Sequence, residues 1–180
     1  NVHGKILRLN PDGSAPADNP FVDTPGAVPQ IWAYGLRNPF RFTFTPDGQL
    51  LTGDVGGDAW EELNVVTRGA NYGWPLAEGD CGNCGFATPL YTYHHADPPA
   101  KAGSITSVMV YTADTLGAEY QNKVFIADYT LGWIKELTFD SDFESFISER
   151  IFDDQAGTTV KLAQGPDGKI YQLTIYPGVL

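Results

Sequence analysis

Apolar and polar residues alternate with period two along most of the chain, in runs too short to make helices. The runs that read as strands are Lys5 to Leu9, Gln30 to Tyr34, Arg41 to Thr45, Gln49 to Gly53, Leu63 to Val66, Ser107 to Tyr111, Lys123 to Ala127, Trp133 to Phe139, Phe146 to Phe152 and Lys169 to Thr174. Turn chemistry punctuates them at Asn10-Pro-Asp-Gly13, Thr45-Pro-Asp-Gly48 and Gly165-Pro-Asp-Gly168, where proline presets φ and glycine accepts a positive value. No stretch of ten residues carries a helical period. The pattern predicts an all-β fold of many short strands.

The strands also repeat. Gln49-Leu-Leu-Thr-Gly-Asp54 matches Lys123-Val-Phe-Ile-Ala-Asp128, and Glu62-Leu63 matches Glu136-Leu137, both at an offset of 74. Pro46-Asp-Gly-Gln-Leu-Leu51 matches Pro166-Asp-Gly-Lys-Ile-Tyr171 at 120, so the second and third copies lie 46 residues apart. A unit of roughly 40 to 50 residues made of short strands predicts the blades of a β-propeller. The longer first interval implies an insertion of about 28 residues, and the Gly-, Pro- and Cys-rich stretch 71–103 fits it as an inter-blade insertion. At this spacing, 1–180 is a single propeller domain of about three to four blades. Lys5 to Leu9 reads as the last strand of a preceding blade, and no closing strand follows Lys169 to Thr174. The chain therefore reads as the C-terminal part of an incomplete, larger ring.

Charge narrows the partners. Eleven Lys+Arg against 22 Asp+Glu give a net charge of −11, which argues against nucleic acid and anionic membrane surfaces. Twenty glycines and 13 prolines suit a turn-rich fold, and 13% aromatic residues supply a core. No apolar run approaches the roughly 18 to 20 residues that span a bilayer. The first residues, Asn-Val-His-Gly-Lys, lack a charged segment followed by an apolar one.

Cys81 and Cys84 form a CxxC within Gly-Asp-Cys-Gly-Asn-Cys-Gly. Zinc would want two further ligands at matching spacing, and a redox dithiol would want a helix N-terminus. A Gly-rich loop favours a structural disulfide, and with it an extracellular or periplasmic setting.

The segment Trp32-Ala-Tyr-Gly-Leu-Arg-Asn-Pro-Phe-Arg-Phe-Thr-Phe-Thr-Pro-Asp-Gly-Gln-Leu-Leu-Thr-Gly-Asp-Val-Gly56, with Trp60-Glu-Glu-Leu-Asn-Val-Val66 and Gly69-Ala-Asn-Tyr-Gly-Trp-Pro75, resembles the glucose/sorbosone dehydrogenase family. Gly4 to Gly13, Val124 to Tyr129 and Gly165 to Tyr171 extend the resemblance over nearly the whole chain. It implies a six-bladed propeller that binds calcium and pyrroloquinoline quinone (PQQ) and oxidises a sugar hydroxyl by hydride transfer. Arg37 and Asn38 fall where the family places an Arg-Asn pair on the cofactor, the guanidinium stabilising negative charge on the quinone oxygens; an ordinary loop pair is the other reading. The carbonyls of Gly56 and Gly57 fall where the family coordinates the cofactor's calcium, unless they form only a tight turn. Glu78 and Asp80 align with a second, structural calcium site, to which Asp54, Asp58, Glu61 and Asp97 are candidate additional oxygens. Tyr72 and Trp74 read as inter-blade packing before substrate stacking.

Departures from the pattern matter too. Glutamines in the family's sugar oxidases are Phe40 and Val55 here, and a cofactor lysine is Thr130. The family's general base, a histidine, belongs to an earlier blade; His3, His94 and His95 do not align with it and read as surface or strand-edge residues. The resemblance thus implies part of a PQQ-dependent sugar dehydrogenase, inactive alone, whose partners are a sugar and either the remaining blades or another copy of the chain. The alternative is a non-catalytic, secreted, calcium-binding propeller that binds a protein or glycan, as in the hedgehog-interacting relatives of this fold.

Overall fold

A computed structural model describes residues 1–95 and 102–175. Twelve strands, β1 (Lys5–Leu7), β2 (Ile31–Tyr34), β3 (Pro39–Phe44), β4 (Leu50–Asp54), β5 (Trp60–Val65), β6 (Tyr91–His94), β7 (Ile105–Tyr111), β8 (Lys123–Asp128), β9 (Trp133–Phe139), β10 (Phe146–Asp153), β11 (Thr159–Gln164) and β12 (Ile170–Thr174), make four antiparallel sheets. Two are complete, β3-β4-β5-β6 and β7-β8-β9-β10; β1-β2 and β11-β12 are two-stranded. The one helical element among the described residues is a 3-10 turn, Ala118–Tyr120.

The sheets stack face to face, and the core lies between them. Leu51, Leu63, Tyr91 and Tyr93 of the first complete sheet pack against Val108, Val110, Val124 and Ile126 of the second. The alternate residues Met109, Tyr111, Phe125 and Ala127 face β11-β12 and meet Leu162. Covered on both faces, β7 is buried throughout its length. The first strands β3, β7 and β11 run side by side, as the inner strands of propeller blades do.

The repeat has a structural meaning. β4, β8 and β12 are each the second strand of their sheet, and the turns before β4 and β12 are the same: Gly48 N and Gly168 N each donate to the residue three positions back, at 3.0 Å, with φ of 93° and 75°. Asp54 and Asp128 end equivalent strands. The match of Glu62-Leu63 with Glu136-Leu137 is not positional, however. Asp54 lies opposite Glu62, whereas Asp128 lies opposite Trp133 and Glu136 faces Phe125. Between paired residues the chain after β4 runs through 55–61 and that after β8 through 129–132 only, and the glycine turn at 56–57 lies in the longer of the two.

Two strands escaped the sequence reading, β6 and β11. Because β6 lies within 71–103 and pairs with β5, most of the inserted length is a loop inside one sheet, residues 66–90, and not an inter-blade segment. Tyr91-Thr-Tyr-His94 is too short for its alternation to stand out against the glycines and prolines around it. β1 pairs with β2, so Ile31–Tyr34 is the last strand before the first complete sheet.

Candidate functional site

The two family-like motifs are zipped together by backbone. Tyr34 N donates to Ala70 O at 3.0 Å, Tyr72 N to Tyr34 O at 2.9 Å and Trp74 N to Gly35 O at 2.8 Å. Gly35 has φ of 76° and lies so close that a Cβ there would stand 2.1 Å from Asn71 Oδ1. This pairing carries the Trp74 ring beneath Arg37, whose Cζ lies 5.4 Å from the ring centroid. Arg37 Nη1 donates to Val55 O at 3.0 Å; its other side-chain donors make no hydrogen bond among the described residues.

Asp54 fixes the backbone beneath the guanidinium. Its carboxylate accepts from Arg37 N at 2.9 Å and Asn38 N at 2.6 Å. Burial, and to a lesser degree the charges of Glu62 and Glu61, push its pKa up to about 7 in spite of those two amides. Glu62 is also raised, chiefly by burial; it accepts from Gly79 N at 2.6 Å and Asn64 Nδ2 at 3.0 Å. Asn64 is fully buried, and its Oδ1 has no partner among the described residues.

Glu78 caps the glycine turn, accepting from Gly57 N and, at 3.2 Å, from Asp58 N. A Cβ on Gly56 would lie 1.7 Å from Trp60 O, so only glycine fits there. Neither carbonyl of Gly56 and Gly57 accepts a hydrogen bond among the described residues. Arg37, Asp54, Gly56, Glu62, Trp74 and Glu78 surround one cavity of about 10 Å3, room for a single small ion or water. Its oxygen donors suit a hard cation. Among the described residues no three of His, Cys, Asp and Glu stand close enough to hold a metal between them, so a cation here would rely on the turn's carbonyls with single carboxylates.

Other candidates separate. Asp80 is exposed and accepts from Gly82 N at 2.8 Å, opening the cysteine loop; Glu62 and Asp54 take the place beside Glu78 that the sequence reading gave to it. Glu61, a candidate oxygen, is fully buried and engaged by Ile105 N at 2.9 Å, Gly56 N at 3.2 Å and His95 Nε2 at 2.7 Å. His95 is accordingly buried, against expectation, because the alternation of β6 continues one residue past the strand. His3 and His94 are exposed, as expected, His94 set edge-on against Trp60. Tyr72 is buried, its hydroxyl donating to Val65 O at 2.5 Å, whereas Trp74 remains 36% exposed on a cleft wall. Asp97 lies outside the described residues.

Asn38, Phe40 and Val55 line a separate cleft of about 270 Å3 together with Ser104 and Tyr129, while Thr130 hydrogen-bonds Ser104 Oγ at 3.1 Å. The departures therefore gather around one space. Cys81 and Cys84 are disulfide-bonded. Thiol titration of the denatured, unreduced chain is expected to find no free thiol; two would contradict the bond.

Stacked antiparallel sheets with their loops gathered around an arginine, a tryptophan and an acid-capped glycine turn define a β-propeller protein with a loop-borne site. The family model of glucose/sorbosone dehydrogenase matches residues 1–177, and the chain belongs to that family. It is 30% identical to aldose sugar dehydrogenase YliI of Escherichia coli K12 over 96% of this chain and 48% of that protein. Over 49% of this chain and 18% of the relative it is 44% identical to quinoprotein glucose dehydrogenase B of Acinetobacter calcoaceticus. The PQQ-bound aldose sugar dehydrogenase of Streptomyces coelicolor superposes with a TM-score of 0.74 at 27% identity, covering 95% of this chain and 46% of that one. The chain spans about half the length, or less, of the curated relatives it matches.

Proposed function

We propose that this chain is part of a sugar dehydrogenase that uses PQQ and calcium, working outside the cytoplasm. The observation that carries the reading is Arg37, held at Val55 O above Trp74 and beside the glycine turn, with most of its donors still directed at no partner. The names of the relatives and of the PQQ-bound structure support the same reading.

When bound, the quinone supplies the two-electron acceptor for the sugar. Arg37 would hold its oxygens by charge-assisted hydrogen bonds, and Asp54 would keep the Arg37-Asn38 peptide in place. Trp74 offers a flat face that excludes water from one side of the guanidinium. The carbonyls of Gly56 and Gly57, with Glu78, would hold calcium. The base that takes the sugar's hydroxyl proton is assigned to blades outside this chain, since His95 is engaged by Glu61 and His94 packs on Trp60.

An absorbance titration with PQQ in the presence of Ca2+ tests the reading: a saturable spectral change is expected, with no dye-linked oxidation of aldoses by this chain alone. No spectral change would favour the alternative, a non-catalytic propeller that binds a protein or glycan, for which the apolar Phe40 and Val55 beside Asn38 speak.

Calcium has its own test. Added Ca2+ is expected to raise the melting temperature, because an ion bound only by the folded chain stabilises it by mass action. Glu78→Gln should reduce that rise and Asp80→Asn leave it unchanged. A melting curve indifferent to both calcium and chelator would remove the ion from the proposal.

A further inference from the structure

Resting on the reading of Arg37 as the group that meets the cofactor, we propose that Glu61 is a positioning residue for Arg37 and acts on it through one peptide group. The amide between Val55 and Gly56 is held by Glu61 at its N–H and holds the guanidinium at its C=O.

The contacts run in one line. Glu61 Oε1 accepts from Gly56 N at 3.2 Å, and Val55 O, the oxygen of the same peptide, accepts from Arg37 Nη1 at 3.0 Å. The peptide is trans, so its N–H and C=O point in opposite directions within one plane. Pinning the hydrogen therefore aims the oxygen. Hydrogen bonds joined through a shared group also polarise one another, so a carboxylate on the N–H side makes Val55 O a better acceptor for the guanidinium.

Glu61 can serve as the fixed end because its own surroundings hold it still. It is fully buried between the two complete sheets, where Ile105 N donates to it at 2.9 Å and His95 Nε2 lies at 2.7 Å. Those two bonds fasten β5 to the start of β7 and to the residue after β6. The bond to Gly56 N fastens neither sheet; it reaches into the loop that carries the site. At the other end the backbone of Arg37 and Asn38 is already fixed, Arg37 N on Asp54 at 2.9 Å and Val55 N on Asn38 O at 3.1 Å. What remains to be set is the far end of the arginine side chain, and Val55 O is its one hydrogen-bond partner among the described residues.

The two acids on the glycine turn thus orient different oxygens. Glu78, on the N–H groups of Gly57 and Asp58, turns the carbonyls of Gly56 and Gly57 away from itself, and Glu61, on the N–H of Gly56, turns that of Val55. Glu62, the next residue, lies on the other face of β5 beside Asp54 and takes no part.

The first test uses the chain without cofactor. The Nη signals of Arg37 should be resolved in a nitrogen–proton spectrum, because the bond to Val55 O slows rotation about the Nε–Cζ bond. Glu61→Gln turns an N–H into a place where three donors converge and should release the Gly56 amide. The Arg37 signals should then merge, while those of Arg150, held by Glu136 at 2.6 Å in the other complete sheet, stay as they were. PQQ affinity of Glu61→Gln should fall about 2- to 10-fold, the range of one neutral hydrogen bond, and no further when Arg37→Ala is already present. A residue that only fastened the sheets would lower stability without this dependence on Arg37. Arg37 signals unchanged in Glu61→Gln, or losses that add in the double variant, would overturn the proposal. If PQQ gives no spectral change with the unsubstituted chain, the cofactor reading falls and the Arg37 signals alone decide the relay. Should Glu61→Gln fail to fold, His95→Leu, which leaves the carboxylate one donor short, should disturb the same signals, and His95→Gln, which offers an N–H of similar reach, should restore them. No difference between those two variants would equally overturn it.

Discussion

Asp128→Ala is expected to cost the fold about 3 to 5 kcal/mol, the range seen when a buried, fully hydrogen-bonded charge loses its place and leaves donors unpaired. The carboxylate is completely buried at the end of β8 and accepts four hydrogen bonds: Tyr93 OH at 2.6 Å, Ser104 N at 2.8 Å, Thr130 N at 2.8 Å and Leu131 N at 2.7 Å. It joins three pieces of chain, β6, the entry to β7 and the loop between β8 and β9. Alanine would leave three backbone amides at the edge of the core and one buried phenol without their acceptor. Tyr93→Phe removes one of those bonds with its donor and should cost only about 1 kcal/mol. Urea unfolding of the two variants beside the parent chain measures both. A loss below about 1 kcal/mol for Asp128→Ala would mean that water replaces the carboxylate at little cost, and the aspartate would then not be a fastener of the sheet array.

Arg37→Ala should weaken PQQ binding about 10- to 100-fold, the equivalent of the roughly 1.5 to 3 kcal/mol that a hydrogen bond to a charged group contributes. Arg37→Lys should recover only part of that loss, because an ammonium cannot present the planar fork of donors. The melting temperature separates binding from folding. Arg37 makes one side-chain hydrogen bond, to Val55 O, and stands over Trp74, so its removal should shift stability far less than Asp128→Ala. Unchanged affinity in Arg37→Ala, with saturable PQQ binding intact, would move the cofactor away from this arginine and toward the cleft lined by Asn38, Phe40 and Tyr129.

Asp54 stands at the same strand position as Asp128 and does a related job with fewer bonds, clamping the amides of Arg37 and Asn38. One sheet therefore uses its strand-end aspartate to seal the interior, while the preceding sheet uses it to present a cation at the surface. The longer stretch between paired residues after β4 accounts for the difference: it holds the turn that Glu78 caps, and it displaces the pairing of β5 so that Glu62 comes to lie beside Asp54.

Strand content, the turns and the blade repeat were determined by the sequence alone, because each depends on contacts a few residues apart: side-chain alternation, proline before glycine, and equal spacing of equivalent strands. The Arg37-Asn38 and Gly56-Gly57 candidates were legible for the same reason, lying in contiguous motifs. What tertiary structure decided is which distant groups meet. Glu78 reaches back to Gly57 across 21 residues, and Glu61 engages His95 across 34. Those pairings are set by the loop between β5 and β6 and by the register of β5, neither of which leaves a periodic trace in the chain. Asp80 and Glu78 look alike in sequence, two residues apart, yet one is exposed and the other caps the site. Alternation places a side chain on one face or the other of a strand; only the stacking of one sheet on the next determines whether that face meets water, an apolar core or a buried charge.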